Sequence, residues 1–143
     1  MTLYVDSSVL LRVVLHERGR LREWGRSRRW ISSQLIRTEC LRTIDRARVQ
    51  FSLSDEDVAT RRAAVLEHLR AFDLIVLDAA VLERAADPFP TALGTLDALH
   101  LASALVARTI EPALVFATHD RELAIAARAS GFRVAGVAGL GRS

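Results

Sequence analysis

Short apolar runs alternate with helical patterns along the whole chain. The runs are rich in β-branched and aromatic residues, which is typical of buried strands, and the segments between them repeat apolar residues every three or four positions, which predicts helices. The predicted strands cover residues 2–5, 30–33, 72–77, 113–117 and 132–134. The predicted helices cover a segment capped by Ser7 and Ser8, residues 34–49, 55–72, 79–86 and 94–107, and a last segment ending near residue 130. This alternation, without repeat or linker, predicts one α/β domain with a mainly parallel sheet.

The helix predicted at residues 94–107 is apolar on every side, yet it carries Asp97 in its first turn. A helix that is apolar all round is buried, and a carboxylate entering a core needs a cation or hydrogen-bond donors nearby. Asp97 is therefore either an ordinary first-turn acid of a helix capped by Thr95, or part of a site where other acids converge. One turn further on, His100 is expected to be a packed or hydrogen-bonded core residue.

Other acids follow predicted strands. Asp6 and Asp78 lie at strand-to-helix junctions, and Asp120 follows the strand at 113–117. In an open parallel sheet, ligands bind beyond the carboxyl ends of the strands, where these acids would stand. Each strand-to-helix acid is also a candidate helix cap, and periodicity does not separate Asp6 from Asp78.

Glu39 lies at the border of the apolar side of the helix predicted at 34–49. The alternative to a role in a site is a surface ion pair with Arg42 or Arg46 on the same helix. Cys40, the single cysteine, has no partner for an internal disulfide and is expected in the core.

If the sheet is parallel, Asp6 and Asp120 share its carboxyl edge, and the helices that carry Glu39 and Asp97 bring two more acids there. Four carboxylates repel one another unless divalent cations lie among them, and an all-oxygen site selects Mg²⁺ or Mn²⁺ over zinc. Such a cluster activates water and stabilises an in-line phosphoryl displacement, which is the chemistry of many nucleases.

The composition indicates a moderately basic globular chain. The 143 residues are 50% hydrophobic and 26% charged, the formal net charge is +3, and all 20 basic residues are arginine. Arginine suits phosphate, and the basic and aromatic stretch 18–30 suits RNA phosphates and bases. The alternative is a solvated basic face whose tryptophans pack on the core or on a partner protein. No secretory signal or membrane span is recognised, so the chain is expected to be cytoplasmic.

Three short motifs, in the right order, carry a resemblance to a known family. They are VDSSVL at 5–10, LDALHLA at 96–102 and ATHDREL at 117–123. With the order of the acids, they resemble a PIN-domain ribonuclease and, more narrowly, the VapC toxins of bacterial toxin–antitoxin pairs. The resemblance covers nearly the whole chain. It implies a PIN-like three-layer α/β/α domain, assigned here to residues 1–135, and the glycine-rich segment 136–143 is expected to be a flexible tail.

The resemblance also implies a function. The chain would be a Mg²⁺- or Mn²⁺-dependent endoribonuclease, with an RNA substrate, a cognate antitoxin that commonly inserts an arginine among the acids, and a second copy in a homodimer. By the resemblance, Asp78 is only a helix cap. The implied metal-binding acids are Asp6, Glu39, Asp97 and Asp120, with Ser8 and Thr118 as their hydroxyl neighbours.

Rival families fit less well. A signalling receiver domain relies on a lysine near its acids, and this chain has none. Haloacid-dehalogenase-like phosphatases need a second aspartate two residues after the first, where this chain has Ser8. The remaining alternative is a catalytically silent PIN-like domain that binds RNA or a protein partner, and the intact acids argue against it.

Overall fold

Strand β1 lies at the centre of a five-stranded sheet in a computed structural model that describes residues 1–140. The sheet order is β3-β2-β1-β4-β5, and every neighbouring pair is parallel. The strands are β1 (Thr2–Val5), β2 (Arg29–Ser33), β3 (Phe72–Ile75), β4 (Val115–Ala117) and β5 (Arg133–Ala135). The helices are α1 (Ser7–Val14), α2 (Leu35–Gln50), α3 (Asp55–Leu69), α4 (Ala79–Ala86), α5 (Thr95–Ile110) and α6 (Arg121–Ala129), with a short 3-10 helix at Arg22–Arg26. The predicted α/β domain with a parallel sheet is confirmed.

Alternating side chains divide the core into two layers, one on each face of the sheet. Leu3 and Val5 of β1 pack in the layer formed with α1, α2 and α3. Tyr4, between them, packs on the other face with α5 and α6, where Phe116 of β4 stacks on its ring at 5.0 Å. Successive side chains of a strand point to opposite faces of the sheet, so helices cover both faces and form the predicted three-layer arrangement.

The register brings the ends of β1 and β4 to one level. Val5 pairs with Ala117, so the next residues, Asp6 and Thr118, both emerge at the carboxyl edge. The Asp6 N–H donates to the Ala117 carbonyl at 3.2 Å, and the Thr118 N–H donates to Ala135 at 3.0 Å. The chain leaves both central strands at the position that the sequence predicts for a site.

Several element boundaries differ from the prediction by up to three residues. Strand β3 ends at Ile75, two residues early, because the Leu77 N–H donates to the side chain of Gln34 instead of to a neighbouring strand. Helix α5 begins at Thr95 after Gly94, so Thr95 is inside the helix and the predicted cap by its hydroxyl is wrong. Local hydrogen bonds of this kind are invisible to a periodicity argument.

Beyond β5, Val137 and Leu140 pack against the core layer of α5 and α6. Residues 141–143 of the predicted tail lie outside the described residues, so the domain limit at 135 and the flexible tail stay predictions. Within residues 1–140, no helix is both long and apolar enough to cross a bilayer.

Candidate active site

Asp6 is buried at the carboxyl end of β1, where it caps α1. Its Oδ1 accepts hydrogen bonds from the Ser8 hydroxyl at 2.6 Å and the Val9 N–H at 3.1 Å, and its Oδ2 accepts one from the Thr118 hydroxyl at 2.5 Å. Burial raises the pKa of Asp6, and the bonds from Ser8 and Thr118 oppose that shift. Asp6 is therefore both the cap of α1 and the buried acid of the candidate site.

The hydroxyl groups of Ser8 and Thr118 link the end of β1 to the end of β4. The Ser8 oxygen accepts the His119 N–H at 3.0 Å, and the Thr118 oxygen accepts the Asp120 N–H at 3.0 Å. The side chain of Asp120 caps α6 from the exposed rim of the same edge. Because each hydroxyl donates to Asp6 and accepts from the backbone, the turn at 118–120 is held in a defined position beside that carboxylate.

Glu39 reaches the site from α2. It forms a short hydrogen bond with Nε2 of His100 on α5, whose Nδ1 lies 2.8 Å from the Tyr4 hydroxyl. The alternative of a surface pair with Arg42 or Arg46 is wrong, since Arg42 contacts Asp45 and Arg46 contacts Thr43 instead. The prediction that His100 is a hydrogen-bonded core residue is confirmed.

Asp97 lies half-buried in the first turn of α5. Burial is the largest cause that raises the pKa of Asp97, followed by the negative charge of Asp120. The charges of Asp6 and Glu39 raise it further. Three of the acids that the sequence singled out thus act electrostatically on the fourth, Asp97, although the four come from different elements.

Asp78 lies apart from these acids. It is exposed and caps α4, accepting the Val81 N–H at 3.0 Å. It follows β3, which is an edge strand separated from β1 by β2. The structure therefore distinguishes Asp78 from Asp6, which periodicity did not, and the prediction of a helix cap is confirmed.

The acids do not form a closed ligand shell. Within residues 1–140, no three Asp, Glu, His or Cys side chains are arranged to ligate one metal ion. Both oxygens of Asp6 accept from hydroxyl groups, and Oε1 of Glu39 contacts His100. The donor set is nevertheless all carboxylate, which fits a hard divalent cation.

The burial of Asp97 and the negative charges around it predict a pH dependence of the folding stability without metal. The folded-state pKa of Asp97 is raised, so its ionisation destabilises the fold as the pH rises from the ordinary aspartate range through the folded-state pKa. Asp97→Asn removes this ionisation, so its free energy of unfolding relative to the parent should increase between about pH 3 and pH 7. Urea unfolding in EDTA measures the difference. A difference that stays constant or falls with pH contradicts the prediction, and Asp78→Asn, at an exposed cap, is the control.

Two tryptophans of the stretch 18–30 are half-buried and pack against the core. The rings of Trp24 and Trp30 lie 5.4 Å apart, and both lie within 6.5 Å of Phe72, against the core layer of α1, α2 and α3. The interpretation that they pack on the core is confirmed.

The arginines of the same stretch divide between two edges of the sheet. Arg29 is level with Thr2, at the amino edge, and pairs with Asp73 at 2.7 Å and Glu111 at 3.3 Å. Arg20 and Arg22 instead border a cavity of about 540 Å³ that His119 and the segment 134–139 also line. None of the four acids lines this cavity, but His119, which does, precedes Asp120 in the chain.

The chain belongs to the PIN domain family, whose sequence model matches residues 3–129. It is 32% identical to Ribonuclease VapC35 of Mycobacterium tuberculosis over 132 residues, which are 89% of this chain and 90% of that protein. It is 36% identical to Ribonuclease VapC46 of the same species over 107 residues, 71% of this chain and 73% of that protein. The resemblance to VapC-type PIN ribonucleases, predicted from three motifs, is confirmed.

Sequence reasoning missed the contact between Tyr4 and His100. A signal was present, since alternation in β1 turns Tyr4 away from Leu3 and Val5, toward the face that the apolar helix α5 covers. Nothing in the spacing of the two residues, 96 positions apart, indicated that they meet.

Proposed function

We propose that this protein is a Mg²⁺- or Mn²⁺-dependent endoribonuclease and the toxin of a type II toxin–antitoxin pair. It cleaves RNA by attack of a metal-activated water on a phosphodiester. The observation that supports this most is the convergence of acids at the carboxyl edge of the sheet, where burial and the charges of Asp120, Asp6 and Glu39 raise the pKa of Asp97. The names of its relatives, VapC35 and VapC46, support RNA as the substrate.

In this proposal, Asp6, Glu39, Asp97 and Asp120 hold the metal. A divalent cation bound there supplies an activated water and neutralises charge on the phosphate. Asp6 is the most rigid of the four, because two hydroxyls and a backbone N–H fix its carboxylate. Ser8 and Thr118 serve to orient Asp6 and do not themselves react.

The RNA backbone would reach the acids past the cavity beside His119. Arg20 and Arg22 are exposed at its border and are able to pair with phosphate oxygens. Arg28 is also exposed, but it lies at the amino edge of the sheet, where its N–H donates to the Met1 carbonyl at 3.0 Å. Substitutions at these three arginines therefore test which edge of the sheet binds RNA.

The double variant Arg20→Gln/Arg22→Gln should bind RNA about tenfold or more weakly than the parent at low salt. Its affinity should also depend less steeply on salt, because up to two phosphate contacts are lost. Fluorescence anisotropy in Ca²⁺, a cation chosen to permit binding without turnover, measures both quantities. Arg28→Gln is the control and should bind as the parent does. If Arg28→Gln weakens binding more than the double variant, RNA lies at the other edge.

An antitoxin would inhibit the enzyme by placing a guanidinium among the four acids, where it competes with the cation for the same negative charge. The homodimer is part of the same proposal and is measured by sedimentation of the purified chain.

The experiment that tests the function has two arms. Induced expression of the chain alone should arrest bacterial growth, and the purified protein should cleave RNA with Mn²⁺ but not with EDTA. RNA binding without cleavage in Mn²⁺ would indicate the catalytically silent domain instead. Tolerance of high soluble expression in several hosts would contradict the toxin role even if cleavage is seen.

A further inference from the structure

We propose that His100 is a positioning residue that holds the Glu39 carboxylate in place for metal binding, and that Tyr4 in turn holds His100. The inference rests on the proposed function, since it concerns one of the four proposed metal-binding acids. It assigns a role to two side chains, both buried, that lie outside that set of acids.

The hydrogen bonds form a chain from the core to the site. The Tyr4 hydroxyl lies 2.8 Å from Nδ1 of His100, and Nε2 of the same ring contacts Oε1 of Glu39. A carboxylate only accepts hydrogen bonds, so Nε2 carries the proton. In the neutral imidazole, Nδ1 is then the acceptor for the hydroxyl proton of Tyr4, and this hydrogen bond sets both the tautomer and the orientation of the ring.

The hydroxyl of Tyr4 carries the proton that this hydrogen bond needs. Full burial disfavours the phenolate, so the pKa of Tyr4 is well above its usual value and the hydroxyl keeps its proton.

The positions of Glu39 and His100 in the fold explain how their hydrogen bond holds the carboxylate. Glu39 stands on α2, in the helical layer on one face of the sheet, and His100 stands on α5, in the layer on the other face. Their hydrogen bond therefore joins the two layers beyond the carboxyl edge. Because His100 occupies only Oε1, the second oxygen of Glu39 stays available to a cation while the carboxylate is held still.

Mn²⁺ binding to the full chain tests the inference without relying on activity. The EPR signal of free hydrated Mn²⁺ gives the dissociation constant. His100→Leu should raise it about tenfold, because the donor to Glu39 is lost. His100→Gln, whose amide offers an N–H near the position of Nε2, should stay within about threefold of the parent. The matched control is His68→Leu on α3, where the ring contacts only the Ala64 carbonyl among the described side-chain bonds, and it should leave the constant unchanged.

A double-mutant cycle separates positioning from general damage. In a Glu39→Gln background, His100→Leu should change the Mn²⁺ dissociation constant by less than about twofold, because the carboxylate that His100 positions is gone. The inference would be overturned if the two substitutions changed the Mn²⁺ dissociation constant independently, so that their factors multiply. It would also be overturned if His100→Leu bound Mn²⁺ as tightly as the parent. A Gln variant as weak as the Leu variant would also overturn it.

A second readout applies even if His100→Leu does not fold. In the ¹⁵N imidazole spectrum of the parent, His100 should carry its proton on Nε2, and Tyr4→Phe should shift the Nδ1 resonance while Nε2 keeps the proton. A proton on Nδ1 alone in the parent would overturn the inference. If the parent binds no Mn²⁺, the proposed metal site is contradicted. If the parent binds Mn²⁺ and the His100 variants do not differ from it, only the inference is overturned.

Discussion

Replacing Asp97 with Asn should lower the rate of RNA cleavage in Mn²⁺ by about two powers of ten or more. The substitution removes one charge at nearly constant shape, so it weakens the attraction for the cation without creating a cavity. A lost interaction worth several kcal/mol in the transition state corresponds to a rate loss of this size, since each 1.36 kcal/mol is about tenfold. Single-turnover cleavage of a labelled RNA measures the rate. Thermal unfolding with and without Mn²⁺ should show a smaller metal-induced gain for the variant.

Asp78→Asn is the internal control for that experiment. Asp78 is an exposed helix cap, and asparagine caps a helix about as well as aspartate. This variant should therefore keep both its cleavage rate and its metal-induced rise in melting temperature. Full activity of Asp97→Asn, or greater damage from Asp78→Asn, would place the metal away from the four proposed acids.

Replacing Gly136 with Ala should destabilise the protein by about 3 kcal/mol, combining left-handed strain with forced overpacking. Gly136 has φ +105°, and an added Cβ would lie 2.3 Å from the Thr118 carbonyl oxygen. That oxygen belongs to backbone, so the turn at 118–120 must move to relieve the contact. Since the Thr118 hydroxyl binds Asp6, cleavage should fall together with the free energy of unfolding in urea.

Gly139→Ala separates the two causes. Gly139 also has a positive φ, +80°, but nothing lies within 4 Å of its added Cβ. In urea unfolding it should cost only the strain of the left-handed backbone, about 1 kcal/mol. Equal losses in the two variants would show that close packing of Gly136 on Thr118 contributes nothing.

Much of the fold was predictable because strand and helix periods are local. The alternation of apolar runs and helical patterns yielded all five strands and six helices of the described residues, in the right order. Errors occurred at element ends, as at Leu77 and Thr95, where one side chain or one cap decides the boundary. Such interactions depend on individual atoms and not on a repeating pattern.

The candidate site was partly predictable for a similar reason. Acids that follow parallel strands share one edge of a sheet, so Asp6 and Asp120 were expected together, and they are. Their proposed role in metal binding stays a prediction. Glu39 was ambiguous, because the border of an amphipathic helix faces either a neighbouring helix or solvent, depending on how the helix is rotated.

The sequence by itself determined the α/β class, the family and the set of candidate acids, because these depend on local periodicity and on short motifs. The tertiary structure alone decided that Asp78 lies two strands away from Asp6, because local sequence patterns do not specify the order of strands in a sheet. It also decided that Glu39 contacts His100, 61 positions away and on another helix. Contacts over such separations exist only after the chain has closed the loops between them and packed both helices on the sheet, so no local pattern encodes them.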